Sequence, residues 1–189
     1  MSKLFVFAIF VSFLSLPLLA QDKVEVFGGY QYLHTGNITI DGVSQPASSQ
    51  SFNGWNASGT YYFTRYIGVQ GDFGGSYATI GGVSTHIYTY TGGPVVAFRR
   101  GPINPYVHAL FGGIDLGGSE SGVSISKNGF TTMIGGGVDV KLGHNLSVRP
   151  IGVDWLYYHF GSNVVDGVGV PSFSQSNNVR ITSGVVFRF

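Results

Sequence analysis

Residues 55–63 read WNASGTYYF: Trp55, Ala57, Gly59, Tyr61 and Phe63 are apolar or small, and Asn56, Ser58 and Thr60 between them are polar. Successive side chains of a strand leave on opposite faces, so this period of two predicts a strand with one apolar and one polar face. The pattern returns as Val69, Gly71 and Phe73 around Gln70 and Asp72, and as Val138, Val140 and Leu142 around Asp139 and Lys141. At the end of the chain it runs through Val179, Ile181, Ser183, Val185, Phe187 and Phe189. Eight such stretches follow one another: residues 24–33, 52–63, 67–75, 85–98, 106–114, 130–142, 146–160 and 178–189, each bounded by Gly, Asn, Pro or Ser. That spacing predicts an all-β barrel or sandwich.

The connections alternate in length. TRY, RRGPIN and GHN are short, whereas residues 34–51, 76–84, 115–129 and 161–176 read as longer and rich in Gly and Ser. In an up-and-down barrel every second connection lies on the same rim, so short turns gather at one end and long loops at the other, as in outer-membrane barrels.

Alternation alone leaves open which face points inward, since a soluble lipocalin-like barrel would bury the apolar set. Charge decides. Only 10% of residues are charged, against roughly 25% in an ordinary soluble domain, so a water-facing exterior is poorly supplied. A polar set of Gly, Ser, Thr, Asn and a few charges of both signs suits a narrow interior. In lipid every backbone polar group must be bonded, which strands achieve only as a closed barrel. The expected fold is therefore a closed eight-stranded antiparallel up-and-down transmembrane β-barrel with its apolar face on acyl chains.

Residues 1–20 carry one cation, Lys3, then an apolar run from Leu4 with Pro17 near its end and Ala20 before QDK. This is a secretory signal pattern with cleavage expected after Ala20, leaving 21–189 as the barrel. Net charge is +1 and no run of Lys and Arg appears, which gives no footprint for nucleic acid. There is no cysteine, so neither disulfide nor thiolate chemistry arises. No metal site or cofactor is expected.

The stretches VEVFGGYQYL, FNGWNAS, GVQGDFGG, PYVHALFGG, GGGVDVKL, SVRPIGVDWLYYHF and NNVRITSGVVFRF together resemble the OmpA-type eight-stranded outer-membrane β-barrel family. The resemblance implies a bacterial outer-membrane location with both termini periplasmic, lipid as the surrounding medium, and periplasmic chaperones and the outer-membrane assembly machinery as partners. It also implies that the last strand, through Ile181, Val185, Phe187 and Phe189, is an assembly signal. Nothing in the sequence matches the peptidoglycan-binding domain of larger members, so a barrel-only member is expected.

By parity Glu25, Asp72, Asp139, Lys141, Arg149, Asp154 and Arg180 point inward, with Arg188 near the rim. Buried ions must pair, so they read as a luminal charge network, with Arg149 beside Asp139 or Asp154. Pro94 and Pro150 cannot donate to a ladder, and a bulge is expected at each. Tyr30, Tyr32, Trp55, Tyr61, Tyr66, Trp155 and Tyr157 are candidates for the aromatic girdles. His34, His86, His108, His144 and His159 form no convincing arrangement with a nucleophile and an orienting group. The expected role is thus non-enzymatic, in membrane integrity or surface contact through the loops to an unidentified extracellular ligand; the alternative is a narrow solute or ion channel, and a lipid-modifying enzyme comes third.

Overall fold

The computed structural model describes residues 23–189 except positions 37, 41–42, 46–48, 81, 121–122, 162, 166–167 and 171–172. The expected signal peptide at 1–20 lies outside the described residues. The strands are β1 (Val24–Thr35), β2 (Ile38–Ile40), β3 (Val43–Gln45), β4 (Gln50–Tyr62), β5 (Ile67–Ile80), β6 (Val83–Ala97), β7 (Ile103–Glu120), β8 (Val123–Lys141), β9 (Leu146–Phe160), β10 (Asn163–Val165), β11 (Val168–Val170) and β12 (Phe173–Arg188).

Eight long strands form the wall in the order β1-β4-β5-β6-β7-β8-β9-β12, and β12 returns to β1. The closing seam is antiparallel, from Glu25 opposite Arg188 to His34 opposite Val179. Closure leaves these strands no free edge in lipid. Beyond the seam, β2 pairs with residues 173–175 of β12 and carries β3, while β10 and β11 form a separate hairpin.

Two of the four expected long loops are direct continuations of the wall strands. Alternation continues through residues 76–79, and only two residues separate β5 from β6. Gly82 there has φ of 89°, which glycine adopts without steric cost in a tight turn. Likewise β7 and β8 run to Glu120 and from Val123, so most of 115–129 is strand.

Pro150 sits at a bulge. Val138 faces Ile151 but Val140 faces Val148, so β9 holds one extra residue. The same surplus appears against β12 between the pairs Gly152–Thr182 and Arg149–Gly184. Arg149 is consequently buried, Pro150 and Ile151 are both exposed, and Asp154 is buried. At Pro94 the expected bulge is absent: Gly92 faces Phe111 and Val95 faces His108, an equal advance on both strands. The ladder to β7 merely skips residues 93–94, since the missing N–H costs a bond without displacing the chain. A further irregularity, between Gln175 and Asn178, holds Asn177 at φ 63°, a left-handed conformation that Asn tolerates.

Several aromatic side chains lie over cross-strand glycines. Trp55 covers Gly75 and Tyr90 covers Gly113, so a ring occupies the space that a Cβ would need. Gly54 is tighter, because a Cβ there would meet the backbone carbonyl of Gly75. On the outside, Val69, Phe73, Val107, Phe111, Ile134, Val153 and Ile181 are exposed, a hydrophobic band whose solvent is lipid.

Candidate functional site in the barrel lumen

The inward faces of the strands stack charges in tiers. At the end where the chain enters and leaves, Glu25 receives Arg99 at 3.1 Å and Arg188 at 3.0 Å. Tyr62 donates to Glu25 at 3.4 Å, and Arg99 lies 4.4 Å over the Tyr62 ring. Arg99 comes from the turn after β6 and folds back inward.

In the next tier Arg149 Nε donates to Asp139 Oδ1 at 2.7 Å and Nη2 to Oδ2 at 3.2 Å, a two-point pairing that fixes the guanidinium plane. The Phe27 and Tyr106 rings hold the same guanidinium at 4.3 and 4.2 Å, adding cation–π attraction. The Pro150 bulge is what aims Arg149 inward.

The central tier has the most members. Arg180 bridges Asp72 and Asp154, each at 2.7 Å. Asn56 donates to Asp72 at 3.0 Å, and His108 bonds Asp154 through Nε2 at 2.8 Å and Gln70 through Nδ1 at 3.1 Å. With three carboxylate and guanidinium groups mutually bonded, the ions stay paired in a low-dielectric interior, where a lone one would be costly.

Above this tier the lumen becomes apolar. Leu33, Phe52, Ile87, Leu110, Ile114, Met133, Leu156, Tyr158 and Phe160 form one buried cluster, and Arg180 Nη2 lies 3.0 Å from Met133 Sδ beneath it. Leu110 and Met133 are 0% exposed. The interior is therefore not only small and polar: Thr35, Thr131 and Asn178 are buried in its upper part, but large apolar side chains fill most of that space.

Of the inward charges expected from parity, Glu25, Asp72, Asp139, Arg149, Asp154 and Arg180 are buried, but Lys141 is exposed. Lys141 is the last residue of β8, and its backbone N–H bonds Pro102 O at 2.7 Å in the neighbouring turn. At the rim there is water to take its ammonium, so parity no longer forces it inside. His108, Gln70, Asn56, Phe27 and Tyr106 have inward parity and join the network, a signal that residue type alone does not give. For Arg99, in a turn, there was no such signal.

On the outer wall Tyr30, Trp55, Tyr61, Trp155 and Tyr157 are exposed, and Tyr32 and Tyr66 are half-buried. Near one boundary Tyr30 donates to Asn53, Tyr32 shares a 2.7 Å bond with Ser51, and Trp55 donates to Tyr77 at 3.3 Å, which reaches Tyr88 at 3.2 Å. Such rings have one apolar and one wet side, as an interface requires. Ile181, Val185, Phe187 and Phe189 face outward.

Both ring nitrogens of His108 are engaged, so it has none left to activate a nucleophile. His34 lies 3.4 Å from Ser51 on the exposed side. Among the described residues no group of His, Cys, Asp and Glu is arranged to hold a metal ion.

Residues 6–189 match the family described as outer membrane protein beta-barrel domain. Among solved structures, Neisserial surface protein A is similar at a TM-score of 0.61 and 12% identity, over 88% of this chain and 97% of that one. Outer membrane protein OprG from Pseudomonas aeruginosa gives 0.53 and 13%, over 89% and 96%. Ail, the attachment invasion locus protein of Yersinia pestis, gives 0.51 and 18%, over 88% and 99%. At these identities the likeness is one of fold. No curated protein matches the sequence.

Proposed function

Because the chain belongs to the outer membrane protein beta-barrel domain family, we propose that it serves the bacterial outer membrane as a non-enzymatic, non-conducting barrel that supports surface-projecting hairpins. The observation that carries this reading is the lumen, filled by paired ions across the middle and by a packed, mostly apolar cluster above them. An ion crossing it would break three buried pairs and then enter a hydrocarbon-like layer.

The hairpins supply the outward role. About 9–11 residues suffice for a tilted strand to cross a bilayer, whereas β7 has 18 and β8 has 19. Their outward faces turn from Phe111 and Phe130 to Asp115 and Asn128, so both strands continue past the lipid. Roughly 8 residues at about 3.3 Å each carry the hairpin some 25 Å further. We place this end outside the cell and the two termini, with the short turns, in the periplasm. The last strand, with Ile181, Val185, Phe187 and Phe189 outward, serves the assembly machinery as its recognition strand.

Single-channel recording on protein refolded into planar bilayers tests the central point. The expected trace is that of the protein-free bilayer at neutral pH; reproducible unitary steps would instead favour a narrow channel and overturn the reading. Adherence of bacteria producing the chain, with and without residues 115–128, tests the surface role. Equal adherence would remove the hairpin from it.

A further inference from the structure

Beyond the adjacent Arg99 and Arg100 the sequence holds no cluster of Lys and Arg, yet the fold collects one. Of the 10 such residues, Lys3 precedes the barrel, Arg149 and Arg180 lie in the lumen and Lys127 is toward the far end. The remaining six, Lys23, Arg65, Arg99, Arg100, Lys141 and Arg188, meet at the rim of the termini and short turns. Arg99 and Arg188 are satisfied by Glu25; Lys23, Arg65, Arg100 and Lys141 are exposed.

Arg100 and Lys141 differ from the other two in sharing a crevice of about 480 Å³, completed by Arg99, Gly101, Pro102, Leu142 and Gly143. Its walls are the β6–β7 and β8–β9 turns, tied together by the 2.7 Å bond from Lys141 N to Pro102 O. Arg100 lies 5.5 Å over the Tyr66 ring, which limits where its guanidinium can go. Neither cation has a carboxylate partner among the described residues. Directly on the lipid side stand Phe98, Ile103 and Leu142, each more than 60% exposed. The crevice thus has cations at the polar boundary and apolar side chains running from it toward the bilayer.

We propose that this crevice holds an anionic phospholipid of the periplasmic leaflet, its phosphodiester between Arg100 and Lys141 and an acyl chain along Phe98, Ile103 and Leu142. A guanidinium matches phosphate oxygens with two parallel N–H groups, and an ammonium adds a point charge. A carboxylate in the aqueous periplasm would use the charges but leave the apolar strip unused, so a lipid fits more of the surface. The assignment of leaflet rests on the orientation proposed above; the lipid preference does not.

The test uses symmetric vesicles, in which the site meets anionic lipid whichever way the barrel inserts. The protein is refolded into a 4:1 mixture of phosphatidylcholine and phosphatidylglycerol with identical acyl chains, and bound lipid is counted by native mass spectrometry. Each juxtamembrane cation favours anionic lipid by about fivefold, so the wild type is expected to enrich phosphatidylglycerol on the order of tenfold or more. Arg100→Gln with Lys141→Gln should abolish most of that enrichment while the urea midpoint in pure phosphatidylcholine stays unchanged. Lys23→Gln with Arg65→Gln, at the same rim but outside the crevice, should keep it. Equal loss in both double variants would show a diffuse field and no site. Displacement of bound lipid by free glycerol phosphate at comparable concentration would show a phosphate site that ignores the acyl chain, and would also overturn the proposal. Protease accessibility of the turns on whole cells reads the orientation separately.

Discussion

Arg180 is the side chain whose loss should be felt most. Arg180 is 2% exposed, and its guanidinium lies 2.7 Å from each of two carboxylates, those of Asp72 at 1% and Asp154 at 2%. Arg180→Leu removes the one cation they share and leaves both facing each other, with only Asn56 and His108 as bonded neighbours. Breaking a buried pair by deleting one partner costs about 3–5 kcal/mol, and here two anions are stranded, so the upper half of that range is expected. At a urea m-value of about 2 kcal/mol/M, 4 kcal/mol lowers the unfolding midpoint by about 2 M. Combining Arg180→Leu with Asp72→Asn and Asp154→Asn should recover most of the loss, because no charge is then unpaired and each amide can still bond Asn56 or His108. The assay is urea unfolding in phosphatidylcholine vesicles, followed through the fluorescence of Trp55 and Trp155 on the lipid face. An unchanged midpoint in the single variant, or a triple variant no better than the single one, would refute the argument that the ions are stabilised only by one another.

Other expectations concern the wall. Ile134→Arg and Val153→Arg should each cost about 2–4 kcal/mol in lipid if they lie near the midplane, read by the same titration, since both side chains face acyl chains. Gly54→Ala should cost about 1–3 kcal/mol through overpacking against the Gly75 carbonyl, read as a lower urea midpoint, whereas Gly71→Ala, with open space at the Cβ, should not. Deleting Pro150 turns the bulge into regular alternation, with Arg149 still inward and Ile151 still outward, so refolding yield by circular dichroism should stay near that of the parent chain; Pro150→Ala keeps the bulge and should refold as well.

The wall was legible because lipid outside and a narrow lumen inside impose opposite chemistry on alternate residues, and the composition is too poor in charge for the reverse. Arg149 and Asp154 could be aimed inward only by assuming the Pro150 bulge, which the register contains. The upper lumen was hidden for a related reason. In DWLYYHF, Trp155 and Tyr157 face out while Leu156, Tyr158 and Phe160 face in, so both faces are apolar and alternation carries no contrast. Lys141 was misplaced because parity holds only where lipid encloses the strand, and it ends at the rim. Residues 76–84 and 115–129 read as loops because Gly and Ser dominate them, yet pairing beyond the membrane needs only an extended backbone with hydrogen-bonding partners. Arg99 could not be foreseen: a turn has no period from which to read direction.

The ion pair between Arg180 and Asp72 joins positions 108 apart in the chain. It also joins strands on different parts of the wall, β12 and β5, that meet across the lumen and never along a ladder. Adding strands one hairpin at a time satisfies backbone bonds locally but cannot make this contact; it forms when the sheet curls and the β1–β12 seam zips. An open sheet lodged in the bilayer would keep Arg180 opposite Asp154 on the β9–β12 ladder but hold Asp72 at membrane depth without its cation, a state lipid strongly disfavours. Such long-range closure also carries the loop entropy that slows folding. Insertion and closure are therefore coupled into one late event, and half-built barrels are expelled from the folding route by their own charges.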